Sequence, residues 1–364
     1  MKAGIVGLPS TGKTTLFNAL TRNEAPVTDF GGKRSEANIG SIFVPDPRFD
    51  KLVSVYHPKK ASPAAIEVID GAAPIGIEPH QGKFGTDFFN GIRAVEALIH
   101  VVRAYESAAH PAPEGGLDPL RDVRNVNDEL MLADLSLVET RLDRIEKGLR
   151  NKKVAPGSPQ MMERDLIQRI HAHLDDMKPL KEIDLTPDEF RQIRSFDFLT
   201  LKPMIIVANI SEDGADESLM KGLREYCAEE KLELIELAAN IEMEVSQLPK
   251  DEQIEFLSAM GIDRPAQDRV VQSAYRALGV LSFFTAGEDE VKAWTIDAGD
   301  RAVDAAGKIH SDLARGFIRA EIVSYADFEK TGSFEAAKSA GLMRLEGKDY
   351  IMHDGDIMVV RFKV

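Results

Sequence analysis

The chain has 364 residues, enough for two or three domains at roughly 150 residues each, and its 43% hydrophobic and 29% charged residues exclude a disordered or fibrous polymer. Its 45 Lys and Arg against 60 Asp and Glu give a formal charge of −15, so the molecule as a whole repels phosphate backbones and anionic lipid, and any nucleic-acid contact requires a local basic patch. No apolar run approaches the ~20 residues of a membrane span, Gly and Pro interrupt the N-terminal MKAGIVGLPSTGK before it resembles a signal peptide, and a single cysteine, Cys227, excludes an intramolecular disulfide or a cysteine metal cluster.

In chain order, AGIV (3–6) predicts a strand, 13–21 a helix, and AAIEVID (64–70) and ALIHVVRA (97–104) two more strands. The alternation implies a parallel α/β sheet, which resumes with PMIIVANI (203–210), a helix over 215–230 and LELIELAA (232–239). Between them, 118–200 has another texture. Met131, Leu135, Val138, Leu142, Ile145 and Leu149 form the seam of a helix in a hairpin or short coiled coil. VAPGSP (154–159) breaks it, and Met162, Leu166, Ile170, Leu174 and Met177 mark a returning helix. Thr186, Pro187 and Glu189 then supply the cap, first turn and capping-box acid of a third. An antiparallel helical arm inserted in the sheet domain is expected. From about 283, short strands (291–296, 319–325, 356–362) surround helices near 301–310 and 334–340, a small α+β unit with a turn at HDGD (353–356).

Gly7-Leu8-Pro9-Ser10-Thr11-Gly12-Lys13-Thr14 matches G-x-x-x-x-G-K-[ST] between a strand and a helix. Its glycines let backbone N–H groups ring a phosphate, the helix N-terminus adds positive potential, Lys13 reaches β- and γ-phosphates, and the Thr14 hydroxyl suits Mg²⁺. Asp70 ends an apolar strand, where a carboxylate can hold Mg²⁺ directly or through water; the alternative is an acid of the Asp70-Gly71 turn. Asn209-Ile210-Ser211-Glu212 follows a strand where P-loop GTPases carry N-K-x-D. Glu212 is a methylene longer than the Asp that pairs with guanine, and Ile210 replaces the Lys that covers the base, which disfavours guanine while Asn209 remains able to bond a purine; the alternative is a polar turn.

Together GLPSTGKTTLFNALT (7–21), VPDPRFDKL (44–52), IRAVEALIHVVRAYE (92–106), FLTLKPMIIVANISEDG (198–214), FFTAGEDEVKAWTI (283–296), IHSDLARGFIRAEIVSYADF (309–328) and GLMRLEGKDYIMHDGDIMVVRFKV (341–364) resemble the YchF/Obg-like ATPases, translation-factor-related P-loop proteins that favour ATP. The resemblance spans nearly the whole chain. It implies an α/β P-loop GTPase-like domain over 1–117 and 201–282, an inserted helical coiled-coil arm over 118–200, and a C-terminal β-grasp (TGS) domain over 283–364. It places nucleotide contacts at Gly7, Pro9, Ser10, Thr11, Gly12, Lys13, Thr14, Thr15, Asn209, Ile210, Glu212, Ala239 and Asn240, with adenine recognition at Asn209 and Mg²⁺ at Thr14 and Asp70. Ribosomes and ribosomal RNA are the implied partners, the cytoplasm the setting, and ATP (or GTP) with Mg²⁺ the ligands.

The chain also departs from the family. Relatives have D-I-A-G-L where it has Asp70-Gly71-Ala72-Ala73-Pro74, and Lys33-Arg34-Ser35-Glu36-Ala37-Asn38-Ile39-Gly40 lacks the usual Thr before E-P-N-x-G, leaving Ser35 as a weak substitute. No Gln follows Asp70 until Gln81. In the family a flexible-loop histidine has been implicated instead, and the nearest match is His110, either a water-positioning residue or an exposed bystander. Arg301, Lys308, Arg315, Arg319, Lys59, Lys60, Lys152 and Lys153 are the cations offered to RNA, against ordinary surface charge. Three readings are open at this level: a slow Mg²⁺-dependent ATPase switch at the ribosome, a GTPase with relaxed base choice, and a nucleotide-binding scaffold that has lost hydrolysis. A small-molecule kinase is a distant fourth.

Overall fold

The computed structural model describes residues 1–22, 38–70, 85–107, 116–150, 155 and 157–363. In chain order the elements begin with β1 (Lys2–Val6), α1 (Lys13–Thr21), β2 (Asn38–Phe43), α2 (Pro47–Tyr56), β3 (Lys60–Ser62), β4 (Ala65–Asp70), α3 (Thr86–Arg93) and β5 (Ala97–Ala104). Then come α4 (Pro119–Arg150), α5 (Pro159–Asp175), α6 (Pro187–Ile193), β6 (Met204–Ile210), α7 (Glu217–Glu229), β7 (Glu233–Leu237), α8 (Ala239–Gln247), α9 (Lys250–Ala259) and α10 (Ala266–Leu278). The chain ends with β8 (Val280–Ala286), β9 (Glu290–Asp297), α11 (Ala302–Ile309), α12 (Ser311–Arg315), β10 (Phe317–Ser324), α13 (Tyr325–Thr331), α14 (Phe334–Ser339), β11 (Arg344–Glu346) and β12 (Asp356–Phe362). Two compact units result: Lys2–Gly40 with Val68–Ala266, and Ser41–Glu67 with Gln267–Val364 and Met1.

The first unit is built on a sheet ordered β2-β4-β1-β5-β6-β7. β1, β5, β6 and β7 are mutually parallel neighbours. All eight residues of β5 are buried, which is why ALIHVVRA reads as a continuous apolar run and not as an alternation. The chain leaves β1 toward β4 and returns to β5 on its other side, so the loop after β1 lies where the strand order reverses, the usual ligand crevice of such sheets.

The arm follows the predicted pattern. Val123, Val126 and Leu130 of α4 are buried in the sheet domain, whereas Val138 packs with Leu166, Ile167, Ile170 and Leu174 of α5, with Leu135, Leu142 and Ile145 alongside. Met162 and Met177, at the ends of the predicted α5 stripe, are exposed, whereas Leu166, Ile170 and Leu174 between them are buried. Thr186 caps α6 through the reciprocal bonds of a capping box with Glu189, as its sequence predicts.

The second unit has a mixed sheet, β11-β10-β12-β8-β9-β3. β8 and β9 form a hairpin, α11 follows, and β12 returns beside β8 in parallel, which is a β-grasp. Phe283 and Phe284 are fully buried on opposite faces, the first with α11 residues Ala302, Ala305 and Ala306, the second with Phe49 and Leu52 of α2 and Phe328 of α13. Each such burial contributes about 1.5–3 kcal/mol. The segment carrying α2 and β3 thus packs with the C-terminal sheet: Asp46 caps α2, Tyr56 stacks on Phe328, and β3 pairs with β9. Among the described residues no helix is long and apolar enough to cross a membrane.

Candidate functional site

The loop from Gly7 to Thr14 joins β1 to α1. Its backbone takes positive φ at Gly7 (148°), Ser10 (59°) and Gly12 (93°), left-handed turns of the kind from which anion-binding nests of backbone N–H groups are built. A Cβ at Gly7 would stand 2.3 Å from the Val101 carbonyl, and one at Gly12 2.3 Å from Asn209 Nδ2, so neither position admits a side chain. Gly12 caps α1 without a side-chain acceptor for the first amides, the arrangement that favours an anion there. Pro9 and Ser10 are exposed, whereas Thr11 and Thr15 are buried.

Lys13 is nearly buried, and its Nζ donates to the Leu8 carbonyl at 2.7 Å, an oxygen that also accepts from Thr11 Oγ1 at 3.1 Å. Burial pushes its pKa down from 10.5 to about 8, with the Asp70 carboxylate opposing the shift. Between pH 8 and 10.5 the unfolded chain holds a proton that the folded chain has released, so this group makes stability rise with pH across that window. Binding has the opposite sign. A polyphosphate favours the ammonium, so above pH 8 binding is expected to take up about one proton and to weaken by up to ~10-fold per pH unit, read by calorimetry in buffers of different ionisation enthalpy. Equal heats in all buffers at pH 9 would reject the coupling.

Thr14 Oγ1 donates to Asp70 Oδ2 at 2.9 Å, and Asp70, at the end of β4, is 4% exposed. A hydroxyl and a buried carboxylate at the mouth of a phosphate loop are hard oxygen donors suited to Mg²⁺, which usually keeps few protein ligands and takes phosphate oxygens and waters for the rest. No cluster of three His, Cys, Asp or Glu stands anywhere among the described residues, so the donor set does not suit an all-protein metal cage. Asn38 Nδ2 also donates to Asp70 Oδ2, at 3.3 Å. The sequence marks Asn38 only as the asparagine of the Glu36-Ala37-Asn38-Ile39-Gly40 phrase, which gives no sign of its approach to Asp70.

Asn209, at the end of β6, is buried with both ends of its amide engaged: Nδ2 donates to the Thr11 carbonyl at 3.1 Å and Oδ1 accepts from Ala239 N–H at 3.0 Å. One side chain thereby ties the phosphate loop to the N-terminus of α8, which packs along α1. Glu212 is exposed in a turn closed by Gly214 N–H on the Ser211 carbonyl, Ile210 is partly buried, and Asn240 is exposed one residue past Ala239. His110, Ser35, Gly71 to Pro74, Gln81, Lys152 and Lys153 lie outside the described residues. Among the other cations, Arg301 is held by Asp304 and Asp349, Arg315 by Asp312, Lys59 by Asp289 and Lys60 by Glu290, while Lys308 and Arg319 are exposed. Cys227 is buried, which pushes its thiol up to about 11.

His100 was not singled out by its sequence. It is fully buried in β5, and among the described residues neither ring nitrogen has a hydrogen-bond partner. Burial, and then the Lys13 cation, lower its pKa from 6.5 to about 3. The unfolded chain therefore takes up a proton between pH 6.5 and 3 that the folded chain refuses: stability is full above 6.5 and falls with pH through that window. His100→Leu is expected to flatten this decline and to hold or raise stability at neutral pH, because it removes two buried ring nitrogens that have no hydrogen-bond partner among the described residues. Unfolding midpoints followed from pH 7 to 4 would show it, and unchanged slopes would refute it.

Comparison with known proteins agrees with this geometry. A family model described as a 50S ribosome-binding GTPase (MMR_HSR1) matches residues 2–140, and one described as a protein of unknown function, YchF-GTPase_C, matches 280–363. The chain is 39% identical to the "Ribosome-binding ATPase YchF" of Bacillus subtilis over the whole of both chains, and 33% identical to the "Obg-like ATPase 1" of Oryza sativa, covering 92% of it. The solved YchF GTPase of Schizosaccharomyces pombe superposes with a TM-score of 0.83 at 30% identity, over 99% of this chain and 97% of that one. Full-length identity to named relatives and a matching solved fold place this chain in the YchF family.

Proposed function

We propose that this protein is a cytoplasmic, ribosome-associated switch that binds ATP with Mg²⁺ at the Gly7–Thr14 loop and hydrolyses it slowly, within the three-part organisation 1–117 and 201–282, 118–200, and 283–364. The observation that carries the reading is a continuous hydrogen-bonded frame in which Lys13, the Thr14–Asp70 pair and Asn209 meet one loop. When bound, Mg²⁺ neutralises phosphate charge, and Thr14 and Asp70 would hold it. The chain's own residues do the rest. Lys13 leaves the Leu8 carbonyl for phosphate oxygens, the loop amides fix the chain of phosphates, and Asn209 keeps loop and base-binding region in register. The named relatives' ribosome binding and ATPase activity support the partner and the reaction.

Adenine preference rests on Glu212 and Ile210, which stand where guanine-specific relatives of the superfamily carry Asp and Lys. With Nδ2 bonded to the Thr11 carbonyl and Oδ1 to the Ala239 N–H, the Asn209 amide keeps one N–H and one lone pair, so base choice is shared with Glu212, whose exposed position favours relaxed selectivity as the second reading. Glu212→Asp with Ile210→Lys is expected to raise GTP affinity relative to ATP by about 10-fold, the worth of one recovered bidentate base contact; an unmoved ratio in competition titrations would count against it. Turnover is proposed to use His110 in place of the missing glutamine. Phosphate release with and without ribosomes tests the switch: ribosome-stimulated release supports it, tight binding without release in either case makes the protein a scaffold, and undiminished release by His110→Ala removes that residue from the mechanism.

A further inference from the structure

Helix α3, the first described element after Asp70, joins the phosphate loop to the root of the arm. Phe88 and Ile92 of α3 are buried in one cluster with Val6, the last residue of β1, and with Val126 and Leu130 of α4; Leu8 of the phosphate loop packs against the same cluster. Arg93, the last residue of α3, reaches both places where the chain passes between sheet domain and arm. Its Nη1 donates to Asp134 Oδ1 at 2.8 Å and to the Asp197 carbonyl at 3.2 Å, and its Nη2 to the Ala133 carbonyl at 3.0 Å. Lys202 Nζ in turn donates to the Arg93 carbonyl at 3.0 Å and the Val95 carbonyl at 2.6 Å, taking up an oxygen that the helix end leaves open. Residues 133 and 134 lie on the outgoing α4, and 197 and 202 on the returning chain before β6, so α3 is fastened to both.

Packing alone does not call for a charge here. Val123, Val126 and Leu130 already bury α4 against the sheet domain. A buried ion pair adds little stability over apolar side chains of the same size, because desolvation offsets its attraction; its best-attested use is to select one of two arrangements. Asp134 is fully buried and Arg93 largely withdrawn from water. With eight residues α3 is about 12 Å long, short enough to shift as one rigid piece, and packed interfaces switch between arrangements where they do not stretch. Leu8 connects this piece to the ligand's chemistry: its side chain lies against the α3 cluster, and its carbonyl accepts from Lys13 Nζ at 2.7 Å. The Lys13–Leu8 and Arg93–Asp134 contacts are made together and so belong to one state. A phosphate that draws Lys13 off the carbonyl disfavours that state.

We propose that Arg93 is a positioning residue that couples the phosphate loop to the arm: triphosphate binding loosens the Arg93–Asp134 clasp, and the closed clasp in turn holds triphosphate affinity down. The inference deepens the triphosphate-site reading and rests on it. Coupling between two sites is reciprocal, so the factor by which the ligand shifts the clasp is the factor by which the clasp shifts affinity, typically about 5- to 150-fold.

The test uses the full chain, Mg²⁺ and the β,γ-methylene analogue of ATP, read by calorimetric titration and by hydrogen exchange of α5 and of α4 beyond Val138. In wild type the analogue is expected to speed that exchange by about 5-fold or more. Arg93→Ala is expected to speed it without ligand, to abolish the further change on adding the analogue, and to bind the analogue about 5-fold or more tightly. Arg93→Lys keeps a charge for Asp134 but loses the planar fork that also reaches the two carbonyls, and is expected to fall between; it carries the comparison alone should Arg93→Ala fail to fold. The control, Arg141→Ala, removes the ion pair to Glu163 that joins α4 to α5 outside the clasp, and is expected to speed arm exchange while affinity and the response to the analogue stay as in wild type. A merely structural Arg93 would behave like that control, or bind the analogue more weakly, and either result would overturn the proposal. Wild type that binds the analogue with no change in arm exchange would overturn the coupling and leave the phosphate site standing. Failure of wild type to bind at all would overturn both.

Discussion

Lys13→Ala is expected to weaken binding of the magnesium triphosphate by about 10²–10⁴-fold without unfolding the protein. The ammonium can make two charge-assisted hydrogen bonds to phosphate oxygens, each contributing about 1.5–3 kcal/mol in a site largely withdrawn from water. In the structure it is held ready nearby, on the Leu8 carbonyl at 2.7 Å, so little reorganisation separates the free from the bound position. The substitution costs the fold little. Burial already disfavours the charge, as the pKa of about 8 shows, and the Leu8 carbonyl keeps its bond from Thr11 Oγ1 when Lys13 is removed. Calorimetric titration with ATP and Mg²⁺ at pH 7, beside thermal unfolding of the same samples, separates the two effects. Unchanged affinity would reject the phosphate site; lost affinity with a midpoint lowered by more than about 10 °C would assign Lys13 to the fold.

How far the sequence foretold this depends on the range of the interaction involved. The phosphate loop was legible because its demands are local: a backbone with φ of 148° and 93° at Gly7 and Gly12 restricts residue type at those positions. The arm was legible because a seam of 3- and 4-residue spacings specifies a buried stripe, and α5 supplies its partner within the same hairpin. The allegiance of α2 was not. Phe49 and Leu52 declare an apolar face, but nothing nearby in sequence says that Phe284, Phe328 and Ile357 cover it. β3 is three residues long, too short to show a period, and is defined by its pairing with β9. Asn209 is singled out as a candidate by its place at the end of an apolar strand, while the bonds of its amide to Thr11 and Ala239 depend on two loops distant in sequence. The imidazole of His100 was hidden in an apolar run that reads as an ordinary central strand.

Asp134→Ala is expected to destabilise the first unit by about 3–5 kcal/mol, because it removes a fully buried carboxylate that fastens the arm to the sheet domain at the midpoint of α4. Asp134 is fully buried and accepts four hydrogen bonds: Arg93 Nη1 at 2.8 Å, Leu199 N–H at 3.0 Å, and Thr200 N–H and Oγ1 at 2.9 Å each. N-terminal to it, Val126 and Leu130 pack with the sheet; C-terminal to it, Val138 packs with α5. Truncation therefore leaves the Leu199 and Thr200 backbone donors without that acceptor, and leaves Arg93, among the described residues, with the carbonyls of Ala133 and Asp197. A loss of that size is a large share of the roughly 5–15 kcal/mol that holds a domain folded. Asp134→Asn preserves the volume but turns an amide donor toward other donors, and should cost about 1–3 kcal/mol. Urea unfolding of both variants gives the magnitudes, and hydrogen exchange of α4 and α5 shows whether the arm opens first. A change below about 1 kcal/mol for Asp134→Ala would mean that the apolar seam holds the arm by itself. The expected ordering, Ala worse than Asn and both worse than wild type, would locate the rigidity of the arm's base in this one buried charge.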